Sequence, residues 1–185
     1  QYKVANEVFE ALVEARGDFR MQKPTFKMAK SERNVAIAKP RKGEIMLELK
    51  AYEVCASFGK DSLNAIAALL SHELIHYYEK HQWAKHFASE NQGTSTGTSM
   101  KNLKERLKLE TQSDILGGFL AYSAGYQTLD IMPEFLDKVY KSYRLKDSLR
   151  GYPPLQERKK LATNALKKLQ SFIHVFETAN YLTAL

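Results

Sequence analysis

One cysteine, Cys55, is all the thiol this chain carries. No intramolecular disulfide can form, and a zinc site built on paired thiolates is excluded. Cys55 stands among Val54, Ala56 and Phe58, so it reads as a small buried hydrophobe. Long apolar runs are also missing. The longest, near Ala65–Leu70, ends in Ser71-His72-Glu73, far short of the roughly 20 residues a membrane span needs. No signal-peptide pattern opens the chain; Gln1-Tyr2-Lys3 leads into an amphipathic stretch, compatible with a mature form or an excised fragment. A nucleic-acid reader motif is absent too. The net charge is +7. Its basic residues run from end to end, densest at Lys39–Lys42, Lys101–Lys108 and Arg158–Lys168, and gather on no single aromatic-laced face. This pattern argues for a solvated surface and against a nucleic-acid partner. No long internal repeat is visible.

What is present suffices for one domain. The chain has 185 residues, of which 44% are hydrophobic and 11% aromatic, enough to build a core. Val4, Val8, Phe9 and Leu12 recur at helical spacing, which predicts a helix over Tyr2–Ala15 ended by Gly17. Pro24–Ala29, Val35–Ala38 and Glu44–Leu49 are short, partly alternating segments, with turn residues at Pro40–Gly43. They predict a sheet of about three strands within Thr25–Leu49. A short helix is expected near Tyr52–Phe58. The next, capped by Asp61 or Ser62, runs through Leu63, Ile66, Leu69 and Leu70 towards Phe87. Ser89–Ser99 reads as a loop, Met100–Tyr126 as a long helix, and Leu129–Pro133 as a break. Phe135–Tyr143 and everything from Leu155 onward read as helix, with Gly151–Pro154 as the turn between them. The fold class is therefore α+β, mostly helical, with a small three-stranded sheet. Residues 1–170 are expected to form the domain. Residues 171–185 are a C-terminal helix that could open a helical-repeat region in a longer parent.

The most specific signal is His72-Glu73-Leu74-Ile75-His76. On a helix, residues four apart are offset by about 40° and one turn, so both imidazoles can face one metal ion. Glu73 is about 100° round from His72, placed to take a proton from water on that metal without binding it. The bland alternative is a buried helix carrying two satisfied histidines. A catalytic zinc site usually takes three protein ligands, so one more is required after His76. The pattern H-E-x-x-H-x-x-G-x-x-H is absent, because position 79 is Glu and position 82 is Gln. His81 is about 180° from His72, and His86 falls on the wrong turn. Glu79 lies on the face of the pair but a turn beyond it, and reads as a group supporting a ligand or as a surface group. The better candidates are Glu110 and Asp114, four apart on the second long helix and followed by Ile115, Leu116, Gly117 and Gly118. One can bind the ion while the other holds a ligand histidine through its second ring nitrogen.

Four segments, in order, resemble one family. They are His72-Glu73-x-x-His76 with His81, Glu110-x-x-x-Asp114-x-x-Gly117, Ala124-Gly125-Tyr126, and Tyr152-Pro153-Pro154-x-x-Glu157-Arg158. Together they are similar to the HtpX-like and CAAX prenyl endoprotease group of zinc metallopeptidases, peptidase family forty-eight, within the gluzincins. The resemblance spans about Thr25 to Leu169. Ser113 stands where that family favours Ala, Arg106 is one residue off the family's usual Arg, and Tyr152 replaces its His before Pro. The family's membrane helices are absent.

The resemblance implies a zincin-like domain, a Zn2+ cofactor and a zinc-dependent endopeptidase acting on protein or peptide. It assigns His72, His76 and Glu110 as metal ligands, Glu73 as the base and Asp114 as the group orienting a ligand histidine. Tyr152 becomes a candidate oxyanion donor. Asn34, Val35, Ala36, Ile37 and Ala38 become a candidate edge strand for an extended substrate. Two other readings remain open at this point: an inactive zincin fold, and an interaction module of a larger scaffold.

Overall fold

The structure, a computed structural model, describes residues 1–18, 20–33, 35–79, 96–145 and 154–183, with side chains described outside 96–106 and 175–183. Helix α1 spans Tyr2–Arg16 and buries one stripe, Ala5, Val8, Phe9, Leu12 and Val13. It ends where Gly17 turns left-handed at φ 67° and donates its N–H to the Glu14 carbonyl. That conformation is open to glycine without a steric penalty.

Three strands follow: β1 (Thr25–Ala29), β2 (Ala36–Lys39) and β3 (Glu44–Glu48). The order is β1-β3-β2, with β1 parallel and β2 antiparallel to the central β3. β2 is thus an edge strand. On β3 the alternation holds for Ile45 and Leu47, which are buried, but breaks at Glu48, which is fully buried as well. β2 starts two residues later than the expected Asn34. Val35 sits at φ 59°, outside strand geometry, and Asn34 lies outside the described residues.

Helix α2 (Leu49–Ala56) leads into α3 (Ser62–Tyr78). Cys55 on α2 is buried and reduced, as expected. Asp61 holds the N-cap position of α3, though its side chain accepts from Asn64 and caps no backbone amide. α3 is buried almost all round, at Ala65, Ile66, Ala67, Ala68, Leu70, Ser71, Leu74 and Ile75. It is the central helix, touching α1, α2, β2 and β3 and the next two helices along the chain. α3 stops at Tyr78 and does not run on continuously towards Phe87; residues 80–95 lie outside the described residues.

Helix α4 covers Thr96–Ser123, so part of the expected Ser89–Ser99 loop is helical. Helix α5 covers Thr128–Ser142 and contains Pro133, where a break was expected. Proline there removes one bond to the Leu129 carbonyl and crowds it, at about 3 kcal/mol. Burial of Leu129, Met132, Phe135, Leu136, Val139 and Tyr140 along one face offsets that penalty. Helix α6 (Leu155–Thr183) completes the chain as the spacing predicts. No helix among the described residues is long and apolar enough to cross a membrane.

Candidate metal centre

The site forms where α3 crosses α4. Gly117 on α4 lies against the α3 backbone: a Cβ there would sit 3.0 Å from the His72 nitrogen. The bare glycine lets the two helices approach closely. One and two turns earlier on α4 stand Asp114 and Glu110, facing His72 and His76. Both carboxylates are buried, at 6% and 3% exposure. The expectation that this acidic turn enters the core therefore holds.

Three ligand atoms converge. His72 Nε2 and His76 Nε2 are 3.1 Å apart, and each is 3.3 Å from Glu110 Oε2. In a tetrahedron with bonds of about 2.0 Å, neighbouring ligands are separated by about 3.3 Å. The triangle thus has the dimensions of three corners of such a site. These three residues could hold a metal ion. The two imidazoles stand nearly at right angles, 71° between planes.

Hydrogen bonding around the triangle is consistent with ligation. His72 Nδ1–H donates to Asp114 Oδ1 over 2.9 Å, since a carboxylate can only accept, and this leaves the Nε2 lone pair for an ion. Asp114 is gripped from its other side by Arg158 on α6. The guanidinium donates through Nε to Oδ2 (2.8 Å) and through Nη2 to Oδ1 (2.7 Å). Burial favours the neutral form of Asp114, but the Arg158 charge and His72 outweigh it and hold its pKa at about 2. Burial likewise opposes charge on His72, yet Asp114 and Glu110 push its pKa up to about 10. Burial raises the Glu110 carboxyl, while His72 and His76 together draw it far below the usual range. Opposite charges this close strongly favour a positive centre in the triangle.

Glu73 is not among the converging ligands. Its Oε2 accepts the Ala38 backbone N–H over 2.6 Å, so the carboxylate is tied to the edge strand. Glu73, the triangle, Val35, Ala36, Ile37 and Ala38 all line one cleft of about 420 Å³. Its apolar lining comes from Leu69 of α3 and from Met132, Phe135, Leu136 and Val139 of α5. Glu79 is exposed, in keeping with a surface group. Tyr152, His81 and His86 lie outside the described residues.

Two groups that hold the surroundings of the cleft, Arg158 and Glu48, escaped the sequence reading. Arg158 carried a signal, since it closes the fourth of the motif segments, but its partner Asp114 was not deducible from spacing. The buried Glu48 carried none beyond its position at a strand end. In comparisons with family models, curated proteins and solved structures, none matched the chain.

Proposed function

We propose that this chain is a zinc-dependent endopeptidase with a zincin-like arrangement. The observation that carries the reading is the triangle of His72 Nε2, His76 Nε2 and Glu110 Oε2, with sides of 3.1 to 3.3 Å, beside the Glu73 carboxylate, which lies on the histidines' helix outside the triangle and accepts the Ala38 N–H. Two imidazoles and one carboxylate suit zinc, and a three-ligand set leaves a fourth position open. Bound zinc would supply Lewis acidity to a water and to the substrate carbonyl oxygen.

The remaining work falls to the chain. His72 and His76 would hold the ion through Nε2 together with Glu110, and Asp114 keeps His72 in the required tautomer. Glu73 takes a proton from the attacking water at its carboxylate. As the carbon–nitrogen bond breaks, it delivers that proton to the leaving amine. The Ala38 amide keeps this carboxylate beside the edge strand. The outward groups of β2 offer main-chain pairing to an extended peptide, laying it along the cleft.

Metal analysis of chelator-free protein should find one zinc per chain. Glu73→Gln should keep that zinc and lose turnover of a responsive peptide by about 100- to 10,000-fold. Wild-type turnover in Glu73→Gln would reject the mechanism, and zinc without turnover in the wild type would point to an inactive zincin. Glu110→Ala should lose the metal, whereas Glu79→Ala and His81→Ala should hold it.

A further inference from the structure

The connection between β1 and β2 is held with unusual thoroughness for a surface turn. Glu48, fully buried at the end of β3, grips it at three points. Its carboxylate Oε1 accepts from the Ser31 hydroxyl (2.5 Å) and from the Arg33 backbone N–H (2.9 Å). Its own backbone N–H donates to the Val35 carbonyl over 2.9 Å. The other oxygen, Oε2, accepts from Tyr143 beyond the end of α5 at 3.1 Å. Val35, a β-branched residue, is meanwhile held left-handed at φ 59°. A buried carboxylate and a strained backbone are both unfavourable by themselves, and such strain persists where surrounding structure enforces it, commonly at functional sites.

The turn presents Arg33 and Val35 to the cleft that contains the metal triangle. Arg33 is exposed, and among the described residues its guanidinium has no ion pair. The neighbouring acidic residue, Glu32, is taken by Lys50. The other arginine of the cleft, Arg158, is committed to Asp114. The three carboxylates Glu73, Glu110 and Asp114 would be balanced by Arg158 and a bound divalent ion. Among the described residues, Arg33 therefore brings a guanidinium without an ion-pair partner to the cleft rim. It lies five residues before Ala38, where Glu73 is anchored. At about 3.3 Å per extended residue, it is within about five peptide residues of the reacting centre.

We propose that this turn recognises a carboxylate of the bound peptide, read by Arg33 and positioned by Glu48. The proposal rests on the peptidase reading and gives its substrate class: an extended peptide carrying an acidic group within a few residues of the cleaved bond. The group is an acidic side chain or the peptide's own C-terminus. A guanidinium fork suits either, because it can pair with both carboxylate oxygens.

Binding separates this proposal from catalysis. Zinc-loaded Glu73→Gln protein is titrated with fluorescent peptides of one apolar sequence that differ at single positions by Glu or Gln, each with a free or amidated C-terminus. The expected result is binding about three- to tenfold tighter for one acidic form, the usual scale for a partly exposed but bidentate pair. A Glu/Gln difference assigns a side chain; a free/amide difference assigns the terminus. In the Glu73→Gln background, Arg33→Gln should remove the preference with zinc content unchanged, and Arg33→Glu should transfer it to a Lys-bearing peptide. Glu48→Gln should shrink the preference at unchanged zinc; if that variant does not fold, Ser31→Ala removes one of its donors instead. No preference in the parent, or a preference that survives Arg33→Gln, overturns the proposal. Failure of the peptidase reading shows separately, as wild-type protein that binds these peptides and cleaves none.

Discussion

Two buried carboxylates organise this molecule, and they are solvated differently. Asp114, in the helical half, meets a charged partner: Arg158 grips it with two donors and His72 adds a third. Glu48, in the sheet half, is held by a hydroxyl, a backbone amide and a phenol. The first arrangement fixes a side chain, the imidazole of His72. The second fixes backbone, the turn that leads into β2. A metal ligand must be aimed to within a fraction of an ångström, and an ion pair with a planar fork defines direction well. A turn needs several shorter tethers at successive points, and neutral donors supply them. The two ends of one cleft are thus built with different chemistry.

The charged clamp on Asp114 is the costlier of the two to lose. Arg158→Met keeps much of the volume and removes the charge, leaving Asp114 buried with His72 alone. Removing one partner of a buried pair destabilises by about 3–5 kcal/mol. Denaturant unfolding of the metal-free protein measures it, and a change below about 1 kcal/mol would mean that the pair is well solvated. The acid dependence gives the sign. With its pKa lowered to about 2, Asp114 contributes stability that is complete above its ordinary value near 3.8 and is lost as pH falls towards 2. Without Arg158 the folded-state carboxyl pKa rises towards its ordinary value, so the variant has less of this stability to lose and the loss is complete at a higher pH.

Asp114→Asn tests the same residue from the side of the metal. The amide keeps the shape but accepts more weakly from His72 Nδ1–H. Zinc affinity should fall by about 10- to 100-fold, the usual scale for groups that orient a ligand histidine. A chelator-competition titration reads it. Unchanged affinity would mean that His72 is aimed by packing alone, and the comparison would lose its functional half.

How much of this was legible in the chain follows the same division. His72, Glu73 and His76 form a local pattern, and Glu110 with Asp114 is another, each set by the turn of one helix. Gly117 fits the same logic, because it stands one turn after Asp114 where the helices touch. The helix over Tyr2–Arg16 and the three strands were legible from periodicity. Pro133 misled because a local rule, proline as helix breaker, met a strongly amphipathic segment whose burial outweighs it. Glu48 was hidden for a different reason. Strand alternation groups it with Glu44 and Met46, and its partner Tyr143 is 95 residues away in sequence. Contacts at such separation are decided by how α5 packs against α2 and α3, which no local pattern encodes. The start of β2 was misplaced for the related reason that Val35, a strand-favouring residue, is forced out of strand geometry by that same clamp.

Tyr143→Phe probes the neutral clamp by removing a single oxygen. The phenyl ring remains, and with it the stacking of the Lys50 ammonium 5.1 Å from the ring centre. Only the hydroxyl that donates to Glu48 Oε2 is lost. Burial and the neighbouring Glu48 carboxylate both push the Tyr143 phenol up from its ordinary range, so at neutral pH it is a donor throughout. Deleting a hydrogen bond to a charged acceptor usually removes about 1.5–3 kcal/mol, but here Ser31 and the Arg33 amide still hold the other oxygen. The half-buried position also lets water reach the vacated site. The expected loss is therefore about 1 kcal/mol, well under that of Arg158→Met, although each variant strips one partner from a buried carboxylate. Zinc affinity should be unchanged, since Tyr143 touches the turn clamp and no ligand. Equal losses in the two variants would show that a distributed set of neutral donors is no more tolerant than a single charged fork. The contrast between the two halves of the cleft would then lie in sequence separation alone.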